Sequence, residues 1–112
     1  MSRSKANYVE FTNLGIRVGK IIDVKDFHEA KKPAYKLRID FGKYGIKKSS
    51  AQLTKLYSKK DLMGKKIIAV TNFPPKQIAD FMSEVLVLGV VFEDGVALLQ
   101  VDRDVPEGYN IS

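Results

Sequence analysis

Cysteine is absent from the 112 residues, which excludes a disulfide framework, a cysteine nucleophile and thiolate metal sites. Histidine occurs once, at His28, so neither a zinc site nor a Ser-His-Asp arrangement has its parts. The longest apolar run, Val85 to Phe92, is 8 residues long, whereas a membrane helix requires roughly 20. The segment Met1 to Ala6 contains no apolar stretch of the signal-peptide kind. No glycine-rich phosphate loop occurs, because Gly15 and Gly19 lie next to a strand pattern and precede no helix. The expectation is a soluble cytoplasmic protein with no membrane insertion, no cofactor, no metal and no catalytic site. One domain over residues 1–112 is expected, since the length is too short for two independent cores.

What the chain does have is charge, unevenly spread. The formal net charge is +6. Residues 1–66 hold 17 Lys and Arg against 6 Asp and Glu, whereas residues 67–112 hold 2 against 7. A split this large suggests a basic face directed at a polyanion.

The periodicity is mostly that of β-structure. Residues 16–27 read as a strand with Ile16, Val18, Ile22 and Val24 on one face, and Gly19 inside it marks a bulge or a sharp bend. Residues 34–42 alternate, with Tyr35, Leu37, Ile39 and Phe41 inward and Lys36, Arg38 and Asp40 outward. Gly42 to Gly45 turns the chain into a third strand at 46–53. A helix is expected within 54–63, with Thr54 or Ser58 to cap its start, Ser58 and Asp61 standing at capping-box spacing, and Gly64 at its end. A fourth strand spans Lys65 to Asn72, and strands five and six, 85–92 and 96–103, form a hairpin closed by Asp94-Gly95. A helix between strands three and four of a five-stranded bent barrel, with an extra C-terminal hairpin strand, is the all-β OB-fold arrangement. Such barrels commonly bind oligonucleotides.

Two segments break the local rules. Lys47-Lys48-Ser49-Ser50 places charges and small hydroxyls where a strand would carry β-branched apolar residues. Asn72-Phe73-Pro74-Pro75-Lys76 is a stiff loop that cannot continue a ladder. Other candidates are weaker. His28 reads as a solvated loop residue and Asp23 and Asp40 as surface charges. Tyr44 and Tyr57 are free enough to stack on a base, although packing is their commoner use.

Four stretches carry a resemblance: Ile16-Arg17-Val18-Gly19, Ser49-Ser50-Ala51-Gln52, Asn72 to Lys76, and Ser83 to Gly89. In that order the sequence resembles the tRNA-binding OB domains, found appended to methionyl- and phenylalanyl-tRNA synthetases and as free-standing proteins. The resemblance extends from about Phe11 to Ile111. It implies nucleic-acid contacts from Lys47, Lys48, Ser49, Ser50 and Gln52, then Asn72 and Lys76, then Ser83. Where the synthetase type has Gly-Met after the serine, this chain has Val85-Leu86. That departure favours the free-standing, secretion-associated chaperone branch, which implies a homodimer binding unfolded or precursor polypeptides, with tRNA as the alternative ligand. Phe73, Ile78, Phe81 and Met82, clustered about one loop, are the expected peptide-binding residues, since Met and Phe repack around varied side chains. The run Val85 to Phe92 is apolar on both faces, and with Val105-Pro106 and Tyr8 to Phe11 it is the candidate dimer surface.

Overall fold

Period-two alternation builds the centre of the molecule. The computed structural model describes residues 4–112. Its five-stranded sheet runs in the order β3-β2-β1-β4-β7. The strands are β1 (Ile16–Asp26), β2 (Tyr35–Asp40), β3 (Ile46–Ala51), β4 (Lys66–Val70) and β7 (Leu86–Val87), and all neighbours are antiparallel. Tyr35, Leu37 and Ile39 of β2, with Phe41 just beyond it, are buried as their alternation requires. They pack with Ile21, Val24, Leu53, Leu62 and Ile67 into the barrel interior. The fold is the expected all-β barrel of OB type, nearly closed.

One strand serves both halves of the barrel. β1 pairs with β4 from Ile16 to Lys20 and with β2 from Lys20 to Asp26. Gly19 stands beside this handover, and a Cβ there would lie 2.6 Å from both Ile39 Cγ2 and Phe41 Cε1. The bulge itself is elsewhere, between Ile21 and Asp23. It turns Ile21 into the core and leaves Ile22 half-exposed, which reverses the expectation that Ile22 faces inward. The edge of β1 not used by β4 is covered by the C-terminal segment. Val18 N–H donates to the Tyr109 carbonyl at 3.0 Å, and Gly108 N–H donates to that of Val18 at 2.8 Å.

Helix α2 (Lys59–Leu62) falls inside the expected window, with the reciprocal Ser58–Asp61 capping box and one buried residue, Leu62. A second short helix, α1 (Tyr8–Thr12), was not anticipated, although Asn7 and Glu10 form its capping box. The segment after Asn72 is also more ordered than a stiff loop. It holds a two-stranded ribbon, β5 (Lys76–Ile78) and β6 (Phe81–Ser83), turned at Ala79 with φ 53°. The expected fifth strand divides into β7 and β8 (Gly89–Phe92), and the last strand, β9 (Gly95–Leu98), stops short of residue 103. The hairpin's loop residues are Glu93 and Asp94, one position before the expected Asp94-Gly95 turn, because Phe92 pairs with Gly95.

Candidate functional site

The odd polar strand is half structural. In β3 successive side chains alternate, so Lys47, opposite Ile39, and Lys48, opposite Arg38, lie on opposite faces. Ser49 is 0% exposed, and its hydroxyl reaches the Val85 carbonyl at 3.1 Å. Ser50 N–H donates to Ser83 Oγ at 3.0 Å, and Glu84 N–H donates to the Lys48 carbonyl at 2.8 Å. These bonds close the barrel between β3 and the segment leading into β7, where no regular ladder forms. Ser49 is thus a buried barrel-closing residue and is not presented to a ligand. Small hydroxyls suit this junction because they satisfy main-chain groups without filling the interior.

Asn72 is also engaged. Its Oδ1 accepts the Gly15 N–H at 2.7 Å, and its Nδ2 donates to the Asn13 carbonyl at 2.7 Å. The amide ties the end of β4 to the turn before β1.

Most of the remaining predicted residues divide between two surfaces. A groove of about 640 Å³ lies between β3, the β5–β6 ribbon and the β8–β9 hairpin. Ser50, Gln52, Lys76 and Ser83 line it together with Phe73 and Ile78, over an apolar floor that includes Leu53 and Val85. Half of the expected nucleic-acid set and half of the expected peptide set therefore share one groove. Ribbon register explains the split of the peptide set. Lys76 opposes Ser83 and Ile78 opposes Phe81 on the face turned to β3, while Gln77 and Met82 share the other, exposed face. Met82 accordingly points away from the groove. Phe81 lies beyond the groove's end, packed edge-on to Phe27 with ring centroids 5.4 Å apart.

That aromatic pair borders the second surface. Register sets Asp23, Arg38 and Lys48 in one row across β1, β2 and β3, and Lys25, Lys36 and Ser50 in the next. Lys48 Nζ lies 5.3 Å from the centre of the Phe81 ring, and Lys36 Nζ lies 4.9 Å from that of Phe27. Lys25, Lys36 and Arg38 were not among the predicted site residues. The alternation of Lys36 and Arg38 in β2 was legible, but only the strand pairing brings them, with Lys25 of β1, beside Lys48. This is the strand 2–3 face through which OB barrels commonly meet extended ligands.

Tyr44 and Tyr57 are both held in packing, the commoner of the two uses open to them. Arg17 lies 3.7 Å over the Tyr44 ring and donates to the Gly108 carbonyl. The Tyr57 hydroxyl accepts the Leu98 N–H at 3.0 Å and fastens β9 to the barrel. Three carboxyls are held below the ordinary aspartate range. Asp26 is lowered by its hydrogen bond from Lys59, Asp61 by the backbone N–H of Ser58, and Asp104 by its hydrogen bond from Lys66. Among the described residues, no three His, Asp or Glu side chains gather as a metal site would require.

Residues 16–110 match the putative tRNA binding domain family. The structure superposes on the CsaA chaperone protein of Picrophilus torridus with a TM-score of 0.93 and 56% identity, covering 96% of this chain and 100% of that one. It superposes on the chaperone CsaA of Bacillus anthracis str. Ames with a TM-score of 0.93 and 50% identity, covering 97% and 100%. The methionine–tRNA ligase of Thermococcus onnurineus is 36% identical over 110 residues, 96% of this chain. The chain spans only about 15% of the length of the curated relatives it matches. Likeness over the whole barrel places the chain in the tRNA-binding domain family, among its CsaA-like members.

Proposed function

We propose that this protein is a non-catalytic, homodimeric chaperone of CsaA type that binds unfolded or exported polypeptides in the cytoplasm. The open groove of about 640 Å³ carries this reading. Its floor is apolar, while hydroxyls and an amide at its rim (Ser50, Gln52, Ser83) suit main-chain groups of an extended segment. Phe73, Ile78 and Lys76 are the proposed contacts. A homodimer is supported by apolar side chains left in water outside the groove, among them Tyr8 at 78% and Val90 at 54% exposure. Among the described residues no helix is long and apolar enough to cross a membrane.

The paired rows of Lys25, Lys36, Arg38 and Lys48 favour a second reading, tRNA as a ligand of the outer face. A filter-binding assay with bulk tRNA, with and without a denatured protein as competitor, separates the two. Retention of the denatured protein by the parent and its loss in Phe73→Ala support the chaperone reading. Retention of tRNA alone overturns it.

A further inference from the structure

A second, smaller recess of about 300 Å³ lies between the loop that joins β1 to β2, residues 52–55 and the tip of the β8–β9 hairpin. Gln52, Val91 and Val96 line both this recess and the main groove, so the two form one channel. Its cations stand at opposite ends: Lys76 beside Ser83, and Lys32 with Lys55 in the recess. None of these three lysines is in an ion pair among the described residues. Glu84 is the one acidic residue along the channel, and its Oε1 is occupied by the Lys48 N–H at 2.9 Å. The middle of the channel is apolar, and along its length three lysines stand against one carboxylate.

From this we infer that the preferred occupant is an extended polypeptide with an apolar stretch flanked by acidic residues. The inference rests on the chaperone reading and names the client class that reading leaves open. Apolar side chains settle against Leu53, Val85, Val96 and Phe92, and carboxylates reach Lys76 at one end and Lys32 and Lys55 at the other. A basic flank meets uncompensated lysines on a protein of net charge +6, so charge acts mainly as a filter against the wrong client.

Three labelled peptides test it. All share a core of about six apolar residues, roughly 20 Å when extended, and differ only in acidic, neutral or basic flanks. Fluorescence anisotropy against the full chain should rank them acidic, neutral, basic, with about tenfold between the extremes, as two or three exposed ion pairs supply. Lys32→Gln with Lys55→Gln should remove most of that preference and spare the neutral peptide. The charge-matched control Lys43→Gln with Lys60→Gln should keep it. Equal binding of all three peptides, or equal loss in the control, overturns the charge filter and leaves the chaperone reading standing. Failure of every peptide to bind overturns the chaperone reading itself. Displacement of the neutral peptide by an RNA oligomer, dependent on Lys32 and Lys55, overturns the inference by assigning those lysines to phosphate.

Discussion

The hydroxyl of Ser49 reaches the carbonyl of Val85 across 36 residues of chain, at 3.1 Å and out of contact with water. It also lies 3.1 Å from the Ser50 carbonyl, so one proton serves the joint where the barrel closes. Among the described residues, the Val85 carbonyl has besides Ser49 only one other side-chain bond, from Ser83 at 3.5 Å.

Ser49→Ala leaves that buried carbonyl poorly satisfied and should cost about 1–2 kcal/mol. Urea denaturation checks this. The same variant, below its melting temperature, should bind ligands as the parent does. A variant of unchanged stability and weakened RNA binding would return Ser49 to the ligand face.

Gly19→Ala tests the closest approach in the core. Its methyl group would stand 2.6 Å from two fully buried side chains, Ile39 and Phe41, that have nowhere to move. Overpacking of this kind costs about 1–3 kcal/mol. The mirror test, Gly64→Ala, meets no atom within 4 Å but must hold φ at +79°. Its cost comes from backbone strain alone and should be about 1 kcal/mol. Thermal melts of the two variants give the comparison.

On the outer face, Arg38→Ala and Lys48→Ala should each weaken RNA binding about equally for all sequences. Each should also flatten the plot of log affinity against log salt by about 1. Lys47→Ala, on the opposite side of β3, should have a smaller effect. Equal slopes for Lys47 and Lys48 variants would show that β3 alternation does not govern contact.

The proposed homodimer is probed by Val9→Asp on α1 combined with Val90→Asp on β8, both exposed positions outside the groove. Light scattering should fall from about twice the chain mass to 12.6 kDa. A parent already at the monomer mass at micromolar concentration would sink the dimer, and a double variant that stays dimeric would sink this interface.

Acid should weaken the fold through Asp26, Asp61 and Asp104. Each has a folded-state pKa below the ordinary value of 3.8. Their contribution is therefore complete above that value and is lost as pH falls through the lowered values. Lys59, raised above 10.5 by Asp26, contributes below 10.5 and loses its part as pH rises through the raised value. Stability from these pairs should be flat from about pH 5 to pH 10. In Asp26→Asn the drop in urea midpoint between pH 6 and pH 3 should be smaller than in the parent. An identical drop would mean that the Asp26–Lys59 pair contributes nothing measurable.

Local pattern alone determined a good deal about this molecule. Alternation in Tyr35 to Phe41 dictated which side of β2 is core, because a strand turns successive side chains to opposite faces. The Ser58–Asp61 spacing offered one of two starts for α2, and the structure uses it because a capping box is satisfied within one turn. The Lys47-Lys48-Ser49-Ser50 anomaly marked a place where strand packing rules are suspended. Tertiary structure alone decided what the anomaly does. Whether a serine faces a ligand or a distant carbonyl depends on which segment closes the barrel, and that contact crosses more than thirty residues. The same holds for Asn72, whose partners at Gly15 and Asn13 are remote in sequence, and for Ile21, buried by a bulge one residue wide. Lys25, Lys36, Arg38 and Lys48 become one surface only through strand register. Register is a property of paired strands, and no single segment contains it.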